Sequence, residues 1–194
     1  MPTRQLFPTH FYESAIDDPA LVDDLAASAA ALASEDRAGR AWSKAHGYRG
    51  YTSYASLDDL PLRDPAFAEL KRHLDRHVAA FAREAGMELG ARRLKLDSLW
   101  INVLKPGGTH SGHLHPHSVV SGTFYVAVPP GSGALKLEDP RLPMLMAAPP
   151  REGTFVYAEP RAGDVFLWES WLRHEVMPHA GKGERVSVSF NYRW

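Results

Sequence analysis

Apolar residues recur at helical spacing in two stretches of the first half of the chain. Leu21, Val22, Leu25 and Leu32 fall near one face of an Ala-rich run that reaches about Ala33. Asp18-Pro19 precedes it, giving a capping carboxylate and then a proline at the first helical position, where its missing N–H is not needed. Asp64-Pro65 repeats that start, Phe67, Leu70, Leu74, Val78 and Phe81 follow at the same spacing, and Gly86 is a natural stop. Residues 39 to 60, between the two helices, are rich in Gly, Ser, Tyr and Asp and read as a loop with a short strand at most.

The period changes to two in the second half. Leu94, Leu96, Ser98, Trp100 and Asn102 alternate with other residues up to the turn Pro106-Gly107-Gly108. Val119 to Val128 is β-branched and aromatic, and Thr154 to Tyr157, Asp164 to Trp168 and Arg185 to Trp194 are further strands, each gap marked by Gly or Pro. Helices followed by seven or eight short strands predict an α+β chain, mainly β with N-terminal helices. The sheets are expected to form an antiparallel double-stranded β-helix of jelly-roll or cupin type. One domain is expected over 1–194, with a mainly helical support region over 1–90 and the β core over 91–194. Trp168 and Trp171 are expected in the core.

Composition adds exclusions. The 22 basic and 23 acidic residues leave a net charge of −1, which argues against a nucleic-acid binder or a polybasic membrane binder. With no cysteine, a disulfide scaffold, a zinc ribbon, an iron–sulfur cluster and a cysteine nucleophile are excluded together. Residues 1–16 lack the apolar core of a signal peptide, and no apolar run approaches the ~18 residues of a membrane span. A cytoplasmic protein with no membrane partner is the expectation. The apolar face of the last strand, ending at Trp194, suits either the core or a homodimer contact.

Ten histidines are present, four of them between His110 and His117. Without thiolates, a transition-metal site must be built from imidazole, carboxylate and water. Residues two apart on a strand share a face, so His113 and His115 can present two imidazoles to one ion. His174, 59 residues after His115, can bring a third from another strand. Three protein ligands leave coordination positions open, the mark of a catalytic site. His115/His117 is the rival pair, but Pro116 between them disturbs strand geometry; His110 and His117 read as neighbours of the site. His73 and His77 sit four apart on a helix and read as surface residues. On the last strand Arg185, Ser187, Ser189, Asn191 and Arg193 share one face, and an Arg there can hold a carboxylate through two parallel hydrogen bonds. A turn over Pro178 to Gly183 is expected to lay Arg185 beside His174.

These stretches resemble the 2-oxoglutarate/iron(II)-dependent oxygenases, most of all a bacterial and phage group of them. The resemblance rests on WINV, GGTHSGHLHPHSVVSGTFYVAVP, LEDPR, LWESWLRHEV and RVSVSFN, which occur in order between Trp100 and Trp194. It implies that His113, His115 and His174 hold Fe(II), that 2-oxoglutarate is the cosubstrate and O2 the oxidant, and that Arg185 and Ser187 bind the distant carboxylate of 2-oxoglutarate. His115 stands where most of the superfamily has a carboxylate. Asn102 and Tyr125, on strands lining the pocket, are candidates for contact with 2-oxoglutarate or for structural hydrogen bonds. No catalytic residue beyond the metal ligands is expected.

Asp139-Pro140-Arg141 reads as a turn closed by a salt bridge. The pocket mouth is expected from the loops Gly39–Leu60 and Met144–Arg151. A small-molecule or peptide substrate is implied without its identity. Two rival readings stand beside this one: a cupin-like three-histidine dioxygenase or hydrolase that does not use 2-oxoglutarate, and a non-catalytic metal-binding jelly roll.

Overall fold

The computed structural model describes residues 3–141, 149 and 153–194. Helix α1 spans Pro19–Glu35, where the Asp18 carboxylate accepts the Leu21 N–H at 3.0 Å. Helix α3 spans Pro65–Glu84, where Asp64 accepts the Ala66 N–H at 2.8 Å. Gly86, just past its end, takes a φ of +69° that other residues avoid. Both starts and the stop follow from local chemistry.

A third helix, α2 (Arg37–Ala45), takes up the start of the stretch read as a loop. Its sequence, RAGRAWSKA, carries a single large apolar residue, so no hydrophobic period betrays it. What holds it is polar. Asp36 caps it by accepting the Gly39 N–H at 3.0 Å, and the same carboxylate accepts the hydroxyls of Tyr51 at 2.8 Å and Ser56 at 2.5 Å. Gly39 is buried under these three side chains, where a Cβ would collide with each of them.

Ten strands are formed among the described residues: β1 (Phe11–Ala15), β2 (Gly50–Thr52), β3 (Lys95–Leu104), β4 (His110–His113), β5 (Val120–Ala127), β6 (Leu135–Glu138), β7 (Phe155–Ala158), β8 (Asp164–Glu169), β9 (His174–Val176) and β10 (Arg185–Arg193). They make a six-stranded sheet in the order β1-β8-β5-β10-β3-β2 and a four-stranded sheet in the order β4-β9-β6-β7, with all neighbouring strands antiparallel. This is the jelly-roll architecture expected. The N-terminal region also supplies two strands, β1 and β2, to the large sheet.

Strand β10 shows how the sequence sorts its two faces. Val188, Phe190 and Tyr192 are fully buried with Leu99, Ile101, Leu25, Leu70 and Leu74, in the core between the large sheet and α1 and α3. Each such side chain contributes roughly 1.5–3 kcal/mol by leaving water. The alternate residues Arg185, Ser187, Ser189 and Asn191 turn to the small sheet. Trp194 lies beyond the strand and is 64% exposed, so it does not continue the buried face.

Two expectations about placement are corrected here. Arg185 pairs with Leu104 in the large sheet, whereas His174 pairs with His113 in the small one. The two lie in different sheets and are not neighbours on adjacent strands. Trp168 is buried at 1% exposure, but Trp171 is 47% exposed at the turn between β8 and β9 and is not core. The Met144–Arg151 loop lies outside the described residues except for Pro149. No described helix is long and apolar enough to cross a membrane.

Gly50 pins the edge strand. Its φ is +147°, and a Cβ there would run into the Val103 carbonyl. Gly50→Ala should lower stability by about 2 kcal/mol or more, read as a shift of the urea midpoint. A midpoint unchanged from wild type would contradict this account of the β2–β3 edge.

Candidate metal centre

His113 and His174 lie opposite each other where β4 and β9 pair. His115 sits two residues past His113, beyond the end of β4, so it does not reach the site by strand alternation. Its backbone N–H donates to the Ser170 carbonyl at 3.1 Å, and that bond folds the segment back over the strand pair. One ring nitrogen from each of the three histidines lies within 4.8 Å of the others, with His115 Nε2 and His174 Nε2 3.3 Å apart. An ion about 2.1 Å from each of two neighbouring imidazoles sets their nitrogens roughly 3 Å apart, so the spacing fits.

The other ring nitrogens explain why Nε2 points inward. His174 Nδ1–H donates to the Leu172 carbonyl at 2.9 Å, and His113 Nδ1–H donates to the Ser111 carbonyl at 2.7 Å. Each bond fixes the tautomer that leaves the Nε2 lone pair free. His115 Nδ1 faces the Asn191 carboxamide at 3.4 Å, and Asn191 is held in turn by Ser121 at 2.8 Å and Ser98 at 3.3 Å. The Trp168 ring packs against His174 with centroids 4.6 Å apart.

Burial and the neighbouring His113 push the pKa of His115 down to about 4 and that of His174 down to about 3. Both rings are therefore neutral at pH 7, the form that binds a metal. His110 is pushed down to about 3 by burial, by the Arg185 charge and by His113. The unfolded chain, with histidine near 6.5, takes up these protons more readily. The stability linked to them is thus complete above pH 6.5 and is lost as pH falls toward the folded values. Urea unfolding of the metal-free protein should weaken from pH 7 to 5 by more than the ~1.4 kcal/mol per pH unit that one proton allows. A flat profile over that range would refute the neutral state of these histidines.

Across the barrel from the triad, Arg185 is 1% exposed. Its Nη1 donates to Ser187 Oγ at 3.4 Å, its guanidinium stands 5.1 Å over the Tyr125 ring, and its Nε has no hydrogen-bond partner. The Tyr125 hydroxyl and Trp168 Nε1, buried on the same face of the large sheet, also lack partners. Burial pushes the Tyr125 hydroxyl up to about 12, against the lowering effect of Arg185, so it remains a donor. No carboxylate pairs with Arg185 among the described residues. Leaving buried polar groups unpartnered costs on the order of 1–3 kcal/mol each, more for a charge. A buried cation beside an unpartnered hydroxyl, Arg185 with Tyr125, is complementary to a bound carboxylate, and the Trp168 N–H is a further free donor on the same sheet face, beside His174.

The remaining predicted residues divide. Asn102 is committed within the protein: its carbonyl accepts from Thr52 at 2.9 Å and its amide donates to Ser189 at 3.0 Å. His117 is exposed, at a φ of +69° in a turn, and lies outside the cluster. His110 is no bystander, because its Nε2 lies 2.6 Å from the Tyr48 hydroxyl, beside the pocket. His73 is engaged by Glu69, 3.3 Å from its Nε2, and by Arg76 at Nδ1, and the His77 ring is hydrogen-bonded to the Tyr12 hydroxyl, so neither belongs to the metal cluster. Arg141 forms the expected ion pair with Asp139, at 2.7 Å. Tyr48, Asn191 and the polar role of Trp168 were not read from the sequence. The only signal for Asn191 was its place on the Arg185 face of β10.

Residues 98–191 match the family model described as "Putative 2OG-Fe(II) oxygenase". No curated protein sequence matches the chain. Among solved structures, a Pseudomonas putida prolyl-4-hydroxylase is similar with a TM-score of 0.68 and 21% identity, covering 96% of this chain and 94% of that one. HygX from Streptomyces hygroscopicus, solved with nickel, 2-oxoglutarate and hygromycin B bound, is similar with a TM-score of 0.64 and 17% identity, over 95% of this chain and 83% of that one. The carbocyclase SnoK from nogalamycin biosynthesis gives a TM-score of 0.68 and 14% identity, over 95% and 79%.

Proposed function

We infer that this chain, which belongs to the 2-oxoglutarate/Fe(II)-dependent oxygenases, is a hydroxylase that oxidises a C–H bond of a small molecule or peptide. Iron, when bound, is where 2-oxoglutarate and O2 react to give succinate, CO2 and the oxidising power for the substrate. The chain's own residues hold, orient and shield. His113, His115 and His174 would hold the ion through Nε2. Arg185 would clamp the far carboxylate of 2-oxoglutarate in two parallel hydrogen bonds, with Ser187 hydrogen-bonded to the guanidinium. The Tyr125 hydroxyl and the Trp168 indole N–H are the free donors left for the rest of the anion. Holding the keto acid at both ends fixes its orientation before reaction.

The observation that carries this reading is Arg185, a fully buried cation with no carboxylate partner among the described residues, facing a metal triad. A cupin-like enzyme without 2-oxoglutarate, or a jelly roll that only binds metal, has no use for it. The named neighbours include a prolyl hydroxylase and a protein crystallised with hygromycin B, which keeps both peptide and small-molecule substrates in view. A cytoplasmic setting, where Fe(II) and 2-oxoglutarate are both available, is part of the proposal. Purified protein given Fe(II) and then 2-oxoglutarate without oxygen should develop the visible charge-transfer band of the chelate, and should release succinate once air is admitted. No band and no succinate would sink the proposal.

A further inference from the structure

The outer face of α2 is strongly basic. Arg37, Arg40 and Lys44 recur at helical spacing and line a cavity of about 690 Å³ together with Ala41, Tyr48 and Gly50. All three cations are exposed, and none has a carboxylate partner among the described residues. The Arg40 guanidinium donates to the Ser34 carbonyl at 2.9 Å. Two acids precede the helix: Asp36 is occupied by Gly39, Tyr51 and Ser56, and Glu35 forms no ion pair with the three cations. In a chain with a net charge of −1, this is a concentrated local excess of positive charge.

Its position relative to the pocket is fixed by the sheet. Gly50, on the cavity lip, pairs with Leu104, and Leu104 pairs with Arg185. The lip and Arg185 are therefore two strands apart at the same level, about 10 Å. Tyr48 bridges that gap. It lines the cavity, and its hydroxyl reaches inward to His110 Nε2 at 2.6 Å and Asn102 Oδ1 at 3.4 Å. The Arg185 charge acts on both Tyr48 and His110. The groove thus abuts the Arg185 end of the barrel, where a carboxylate is wanted.

We propose that the α2 groove is the entrance for the dicarboxylate cosubstrate: Arg37, Arg40 and Lys44 draw the dianion in, and Tyr48 is the partition it passes to reach Arg185. The proposal rests on the 2-oxoglutarate reading above. A basic cleft of this kind raises association rates by roughly 10- to 1,000-fold at low salt, without needing to change the bound state. The three cations belong to the approach and do not touch the bound ligand.

The test is anaerobic stopped-flow binding of 2-oxoglutarate to the Fe(II)-loaded protein, followed by the charge-transfer band at several salt concentrations. The triple variant Arg37→Glu, Arg40→Glu, Lys44→Glu should lower the association rate at least 10-fold at low salt and flatten its salt dependence, with dissociation changed less than about 2-fold. A second triple variant, Arg92→Glu, Arg93→Glu, Lys95→Glu, makes the same change in net charge at the other end of β3, on exposed side chains. It should bind at nearly the wild-type rate. An unchanged rate in the α2 variant, or an equal loss in both, overturns the entrance, the second case because the effect would then be the field of the whole protein. Wild type that fails to bind 2-oxoglutarate at all would instead overturn the function proposed above. Far-UV circular dichroism of both variants checks that each is folded.

Discussion

Arg185→Met should weaken 2-oxoglutarate binding by about 100-fold or more while leaving metal affinity within a few-fold of wild type. The expected loss follows from the environment. Truncating one partner of a buried, hydrogen-bonded charge pair costs roughly 2–5 kcal/mol, because the other charge is left in a dry pocket. Arg185 is 1% exposed, and the neutral donors Tyr125 Oη, beside it, and Trp168 Nε1, on the same sheet face, cannot neutralise a dianion alone. Arg185→Lys should fall between, since a point charge cannot reproduce a two-pronged contact. The same variant separates a binding role from a structural one. In the ligand-free protein Arg185 is a buried cation with no carboxylate partner among the described residues, so it opposes folding there. Arg185→Met should therefore hold or raise the thermal midpoint of the ligand-free protein while losing the rise that 2-oxoglutarate gives wild type. A lower midpoint with unimpaired 2-oxoglutarate binding would show that the residue serves the fold and not the ligand.

How far the site could be read before its geometry was seen depends on the range of the interactions involved. The caps of α1 and α3 act over two or three residues, and Asp18-Pro19 and Asp64-Pro65 state them outright. The two faces of β10 follow from alternation alone, which is why Arg185, Ser187 and Asn191 could be grouped. α2 escaped because its support is a network linking Asp36 to Tyr51 and Ser56, with no hydrophobic period behind it. Tyr48 escaped for a related reason: its partners His110 and Asn102 lie 62 and 54 residues away. The assignment of His115 reached the right residue by an argument the structure does not support, since a backbone bond to Ser170 places it where strand alternation was invoked. Asn102 shows the converse. It lies on the predicted face, yet its amide is already committed to Thr52 and Ser189, so position alone did not reveal whether it was free for a ligand.

His174→Ala should remove stoichiometric metal. Of the three ligands, His174 is the most enclosed at 4% exposed, its Nδ1 is tied to Leu172, and its Nε2 lies 3.3 Å from that of His115. Its loss leaves two imidazoles and no carboxylate in the cluster to replace it. Altering a hydrogen bond behind a ligand already costs 10- to 100-fold in metal affinity, and losing the ligand itself should exceed that. Metal content after dialysis against a weak chelator is the direct measurement, and the rise in thermal midpoint on adding Mn(II) or Fe(II) is the independent one, because an ion that binds only the folded state stabilises it in proportion to affinity. Both should vanish in His174→Ala and persist in His117→Ala, whose ring is exposed in a turn away from the cluster. His115→Asp is the informative third variant. It restores the carboxylate that the resemblance leads one to expect, and adds a negative charge to an otherwise neutral ligand set, so it should retain metal where His115→Ala does not. Full metal retention in His174→Ala would place the third ligand elsewhere and dissolve the pairing of β4 with β9 as the metal-holding element.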